Sequence, residues 1–262
     1  MTDELKIKRY LERIGCVLPS PVPLTVETLS AIQYRHIMTV PYENLDILAG
    51  KPLSLDTDAL YEKIVTEHRG GYCFEVNGLL GWLYRALGFD VDDCFARFLR
   101  GEPEIPMRRH RVLLVRAEGE TWLCDVGIGT AAPRFPLCLT ENTVQEQEGE
   151  QYRFTRDSRL GWVLWEYHRG QWREYISFTE EAQLAVDFVQ PNFFCEKHPS
   201  SPFNKAPMLA IKTADGRKTI DGDVYKVFTK TADGDETVTC LEEHISEERY
   251  RTLLKTVFFI TV

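Results

Sequence analysis

Apolar residues recur at helical intervals through the first 90 positions and at strand intervals after them. Thr2 to Ile14, ended by Gly15, reads as a first helix, and Thr25 opens a second that Pro41 stops. Asp56 or Thr57 caps a third, with Leu60, Ile64 and Val65 on one side. A fourth begins near Cys73 and carries Val76, Leu79, Leu80, Leu83 and Leu87, the one-sided spacing of an amphipathic helix. Gly88 stands where a left-handed cap belongs. Segments 93–99, 111–117, 121–126, 151–156, 161–168 and 171–177 are short and rich in Val, Leu, Phe, Trp and Tyr, with turn residues between them. They predict an antiparallel meander or barrel.

Residues 140–150 are polar and acidic and read as an exposed loop, and the prolines between 190 and 206 read as a connector. Lys-Thr-Ala-Asp-Gly occurs at 212–216 and again at 230–234, each copy supplying an Asp-Gly hairpin signal. Ser246 opens a terminal helix whose Leu253, Leu254, Val257 and Phe258 pack on that small sheet. The expectation is an α+β chain in three parts: a helical bundle over 1–90, an antiparallel β-barrel over 91–195 and an α/β lid over 196–262.

Composition narrows the function. The chain has 262 residues, 31 Lys and Arg against 40 Asp and Glu, and a formal charge of −9. That balance argues against a general nucleic-acid or anionic-membrane binder. No run reaches the roughly 20 apolar residues of a membrane span, and the start has no apolar signal stretch, so the expectation is cytoplasmic. Seven scattered cysteines, none spaced Cys-x-x-Cys, predict reduced thiols rather than a disulfide framework, and offer no zinc site.

One cysteine stands out. Arg69-Gly70-Gly71-Tyr72-Cys73-Phe74-Glu75-Val76-Asn77 places Cys73 behind two glycines at a helix start. There the unpaired N–H groups and the helix dipole favour a thiolate and can hold a developing oxyanion. A thiol nucleophile needs a base and the base an orienting group. His110 opens the strand 111–116, Asp125 ends the strand 121–125, and antiparallel pairing brings the two together. Asp125-Val-Gly127-Ile-Gly129 is too closely followed by Pro133 and Pro136 for a dinucleotide-binding helix. Its glycines instead allow a ligand near the backbone. From Arg97 to Arg116 six arginines face two glutamates, a basic island in which Arg108 is a candidate for holding an anionic ligand.

These residues resemble the arylamine N-acetyltransferase family. Val40-Pro41-Tyr42-Glu43-Asn44-Leu45 and His198-Pro-Ser-Ser-Pro-Phe203 are similar to two further stretches of it. The resemblance implies acetyl-coenzyme A as co-substrate, no metal, and a ping-pong reaction. In it Cys73 is acetylated, His110 moves the proton and Asp125 orients His110 in a papain-like cysteine-triad core. The acceptor would be an arylamine, hydrazine or arylhydroxylamine. Coenzyme contacts fall to Gly71, Arg108, Gly127, Gly129, Ser200 and Ser201, and acceptor contacts to Tyr42, Tyr72, Ile128 and Phe203. Tyr42 stands where phenylalanine is usual and Ile128 where an aromatic is frequent, which bears on acceptor choice. The alternatives keep the triad and change the partner: an amide synthase, or another acyl transferase or hydrolase.

Overall fold

The structure, a computed structural model, describes residues 2–231 and 236–260. Helices α1 (Asp3–Ile14) and α2 (Val26–Thr39) are followed by the two-residue strand β1 (Tyr42–Glu43) and the short α3 (Leu45–Leu48). Helix α4 (Thr57–Tyr61) runs on as a π-turn over Glu62–Thr66, and α5 (Cys73–Leu87) closes the helical part. Asp56 caps α4 as expected, accepting from the N–H groups of Asp58 and Ala59. Thr25 precedes α2 without a side-chain capping bond; the first N–H of α2, on Val26, donates to the Glu118 carboxylate instead.

The second part is an antiparallel sheet of eight strands: β2 (Asp90–Phe98), β3 (His110–Ala117), β4 (Glu120–Cys124), β5 (Leu137–Cys138), β6 (Gln145–Gln147), β7 (Glu150–Asp157), β8 (Gly161–His168) and β9 (Gln171–Ala182). Their spatial order is β5-β4-β3-β2-β9-β8-β7-β6, curled into a nearly closed barrel. Its two edge strands, β5 and β6, are joined by glutamine side chains. Gln145 bonds both the N–H and the carbonyl of Cys138, and Gln147 does the same for Phe135. The acidic stretch 140–150 is therefore not simply an exposed loop, because it holds β6 and the buried Gln147. Amide side chains satisfy there what a ninth strand would otherwise have to satisfy.

Strand β3 explains how barrel and helices share a core. Val112 and Leu114 point into the barrel, whereas Leu113 and Val115 pack against Leu79, Leu80 and Leu83 of α5. A strand covered on both faces needs the unbroken apolar run seen here. Each fully buried Leu or Val contributes about 1.5–3 kcal/mol, so this seam strongly fixes α5 against the barrel.

Helix α6 (Val189–Lys197) replaces part of the expected connector. Pro191 falls in its first turn, where the missing N–H has no intrahelical partner to lose. A second sheet follows in the order β1-β10-β11-β12-β13, with β10 (Met208–Thr213), β11 (Gly216–Asp221), β12 (Val224–Lys230) and β13 (Glu236–Glu242). The first Lys-Thr-Ala-Asp-Gly copy makes the β10–β11 turn, and Ala232 to Gly234 of the second lie outside the described residues. Helix α7 (Glu247–Thr256), capped by Ser246, packs Leu253 and Leu254 against Leu209, Ile211 and Ile220. Among the described residues no helix is long and apolar enough to cross a membrane.

Candidate active site

The turn before Cys73 is held by close backbone contact and by buried charge. Gly71 donates to the Pro41 carbonyl at 3.3 Å, and Glu43 N–H donates to the Gly71 carbonyl at 3.1 Å. A Cβ on Gly70 would sit 1.9 Å from the Pro41 oxygen, so only glycine permits this approach. Arg69 donates to Glu43 at 3.1 and 2.8 Å and to Asp46 at 3.2 Å. Lys63 bridges Asp46 and Glu75 at 2.8 and 2.7 Å, and Glu75 accepts the Tyr72 N–H at 3.0 Å. Removing one member of such a buried network strands its partner's charge, a cost of about 3–5 kcal/mol. Asn44 then ties this region to the third part, donating to the carbonyls of Phe203 and Ala206 and accepting from Met208 N–H, each at 2.8 Å.

Helix α5 places Cys73 and Asn77 one turn apart on the same face. Asn77 Nδ2 donates to Arg111 O at 2.6 Å and Asp125 Oδ1 at 2.8 Å, while its Oδ1 accepts Val126 N–H at 2.9 Å. The pairing of Leu113 with Cys124 leaves Asp125 just past the end of β4, beside the head of β3. There His110 Nε2 donates to Asp125 Oδ2 at 2.7 Å, and Gly127 N–H donates to Oδ1 at 2.8 Å. A carboxylate on Nε2 assigns the hydrogen to that nitrogen and leaves Nδ1 as the basic one. Cys73, His110 and Asp125 are 3, 5 and 1% exposed, a site from which bulk water is largely excluded.

Burial pushes the Cys73 thiol well above its ordinary value, with the nearby Cys195 and Asp125 acting in the same direction. The main-chain N–H groups of Arg111 and Phe74 pull the other way without prevailing. The helix start therefore does not by itself give a thiolate, contrary to the expectation from its position. Desolvation opposes the charged form here, and a proton leaving Cys73 needs an acceptor. Of the other histidines, His36 is buried on the Tyr10 hydroxyl and lowered to about 3 by desolvation, and His198 is bonded to Ser200.

Cys73 and His110 open into a cleft of about 490 Å³, floored by Gly127, Ile128 and Gly129 and walled by β10, β11 and β12. The N-acetyltransferase family model matches residues 25–262. A Salmonella typhimurium protein, arylamine N-acetyltransferase / N-hydroxyarylamine O-acetyltransferase, is 36% identical over 210 residues, 80% of this chain and 74% of that one. The chain belongs to the arylamine N-acetyltransferase family. A solved arylamine N-acetyltransferase from the same species superposes with a TM-score of 0.89 at 31% identity, covering 97% of this chain and 91% of that one. A Bacillus cereus arylamine N-acetyltransferase with a Cys-His-Glu triad superposes at 0.87 with 26% identity, covering each chain fully. Family membership makes the protein an acetyl-transferring enzyme, and acetyl-coenzyme A is the family's general co-substrate.

Of the residues expected in this arylamine N-acetyltransferase site, Tyr42, Ile128, Phe203, Gly127 and Gly129 line the cleft with Cys73 and His110. Gly71, Arg108, Tyr72, Ser200 and Ser201 do not. Tyr72 is buried with its hydroxyl on Asn192, and Gly71 is packed against Glu75. Ser201 is buried and bonds the Cys195 carbonyl, and Ser200 faces His198. Arg108 faces Glu181 at 3.8 Å. The basic island is largely neutralised by carboxylates, most of them from other segments. Arg100 pairs with Glu166, Arg109 with Glu102, Arg111 with Asp93, Arg116 with Asp90 and Asp92, and Arg97 donates to the Pro106 carbonyl.

The cleft's far wall escaped sequence reasoning. Ala210, Thr219 and Lys226 stand in register across β10, β11 and β12 and share one face, as do Arg217 and Phe228 one row along. The opposite face carries Leu209, Ile211, Ile220 and Tyr225 onto α7. That alternation is present in the sequence, but nothing local says what the polar face meets. Tyr42, paired with Ala210 through β1, belongs to the same wall.

Gly127 supplies a direct test of the packing. A Cβ there would lie 2.7 Å from Cys73 Cα and 2.7 Å from Asn77 Nδ2, neither able to yield without moving α5. Gly127→Ala is expected to cost about 1–3 kcal/mol of stability. It should also lower kcat/KM by about 10²-fold through displacement of Cys73, checked by urea unfolding and steady-state kinetics.

Proposed function

We propose that this enzyme moves an acetyl group from acetyl-coenzyme A through a thioester on Cys73 to the nitrogen of an arylamine, hydrazine or arylhydroxylamine. The observation that carries the reading is the His110–Asp125 bond beside Cys73, with Cys73 and His110 at the head of a single cleft. His110 Nδ1 takes the Cys73 proton as Sγ attacks the thioester carbonyl. The C–S bond to coenzyme A then breaks, and the leaving thiolate recovers that proton. In the second half the amine nitrogen attacks the acetyl carbonyl, gives its proton to His110, and Cys73 leaves and is reprotonated. Cys73 and Phe74 are the first residues of α5, and their N–H groups, free of intrahelical acceptors, suit the oxyanion of both tetrahedral intermediates. The near-complete burial of Cys73 supports a thioester that persists until an amine arrives.

The family stretches supply a division of labour. We read residues 1–90 as carrying the nucleophile, 91–195 the base and its orienter, and 196–262 the wall that covers them. Tyr42 lines the cleft, and we read its hydroxyl as facing the acceptor, so acceptors that can hydrogen-bond to it are favoured.

Intact-mass spectrometry after mixing with acetyl-coenzyme A tests the reading. The expected result is an increment of one acetyl group on the whole chain, discharged by adding an arylamine. No increment with acetyl-coenzyme A, but labelling by another acyl donor, moves the assignment to an amide synthase or a related acyl transferase.

A further inference from the structure

A second cavity, of about 80 Å³, lies between the barrel strands β7, β8 and β9 and the sheet strands β10 to β12. It is several times the roughly 10–15 Å³ that one water occupies on the same measure. Tyr167, which lines it, is exposed, so solvent reaches it. Arg217 lines both this cavity and the catalytic cleft, making the two neighbours.

The cavity gathers more positive charge than its carboxylates answer. Glu150 alone serves Lys212 at 2.9 Å, Arg134 at 3.3 Å and Lys230 at 3.5 Å, and it also accepts from the Tyr152 hydroxyl. Glu166 serves both Arg100 at 3.0 Å and Arg173 at 2.6 Å. Glu236 pairs with Arg217 at 2.7 Å, so the three carboxylates lining the cavity serve its five lining cations and Arg134 behind them, with Glu148 a further, half-exposed partner for Arg134. Among the described residues, Nη2 of Arg173, which lines the cavity, makes no hydrogen bond, and neither does Nη2 of the fully buried Arg134 on the far side of Glu150. Buried guanidinium donors left without acceptors are costly, and an anion is the group that removes the cost.

Two titrations point the same way. Burial pushes Lys212 down to about 8; Glu150 opposes this, while Arg134 and Lys230 add to it. Burial alone would raise Glu150, yet Lys212, Arg134 and Lys230 hold it below its ordinary value. Both shifts have the sign that a local excess of positive charge produces.

We propose that this cavity is an anion subsite that takes a phosphate group, either the ribose 3′-phosphate of coenzyme A or free inorganic phosphate. Arginine forks and lysines around a small, partly desolvated cavity match a tetrahedral dianion. The coenzyme source rests on the acetyl-transfer reading above, whereas phosphate binding itself does not.

Calorimetric titrations at fixed ionic strength compare coenzyme A, 3′-dephospho-coenzyme A and inorganic phosphate on the unmodified chain, then on Arg173→Gln and Lys230→Gln. If the coenzyme supplies the phosphate, coenzyme A binds about tenfold or more tightly than its dephospho form, and both variants lose that preference. If the phosphate is free, the two coenzymes bind alike, inorganic phosphate still binds, and the variants weaken it by a similar factor. On the unmodified chain alone, no preference together with no phosphate binding overturns the proposal, as does a preference that survives both variants. Intact-mass acetylation run in parallel separates the two ideas. Acetylation with no phosphate effect removes only the subsite, and absence of acetylation removes the acetyl-transfer reading while the phosphate titration still stands.

Discussion

Cys73→Ser is expected to reduce kcat/KM for acetyl transfer by about 10⁴-fold or more and to abolish the acetylated species. A serine hydroxyl is a far weaker acid than a thiol. His110 must then remove a proton whose loss is costlier still in a site where burial already opposes charge on Cys73. The substitution should leave the fold in place, because serine is slightly smaller than cysteine and the Sγ donation to the Arg109 carbonyl, at 3.8 Å, is a weak one to lose. Unfolding measurements should show a change of no more than about 1–2 kcal/mol. Activity within tenfold of the unmodified enzyme would falsify Cys73 as the nucleophile. A collapse of stability, in contrast, would show that the thiol matters mainly to the core formed with Tyr72, Phe74 and Cys195.

Asp125→Asn should reduce kcat/KM by about 10³–10⁴-fold, with most of the loss in kcat. The carboxylate accepts from three donors: His110 Nε2, Asn77 Nδ2 and Gly127 N–H. An amide has only one acceptor oxygen. Turned toward Asn77 and Gly127, it presents its NH₂ to His110 and forces the hydrogen onto Nδ1, the nitrogen that must act as base. Turned the other way, it sets NH₂ against two N–H donors and costs about 1–3 kcal/mol of stability. The ¹⁵N shifts of the His110 ring distinguish these outcomes. A normal tautomer with full activity would show that Asp125 is only a structural clamp.

Much of the local structure is legible in single stretches of chain. Helix α5 follows from Val76, Leu79, Leu80, Leu83 and the left-handed Gly88, because helix formation depends on neighbours three and four residues away. The β10–β11 hairpin falls where Asp215-Gly216 signals it, although the two turn residues are Ala214 and Asp215 and Gly216 already pairs with Thr213. The misreadings share an origin in distant partners. Glu150 sits in an acidic stretch that reads as solvated, yet Arg134, Lys212 and Lys230 arrive from other segments to bury it. Arg100 and Arg111 sit in a stretch that reads as a free basic island, yet Glu166 and Asp93 neutralise them across the sheet. Pro191 reads as a break and instead occupies the first turn of α6.

The candidate site divides along the same line. Cys73 behind Gly70 and Gly71, His110 at a strand head and Asp125 at a strand end can be read from spacing alone, since each depends on the element that carries it. Only the tertiary structure decided that Nε2 of His110 meets Asp125, that Asn77 clamps α5 to both strands, and that Ala210, Thr219 and Lys226 form the opposite wall. The physical reason is range. Helix and turn preferences act over a few residues, whereas strand register, charge pairing and desolvation are settled by whichever distant segments pack together.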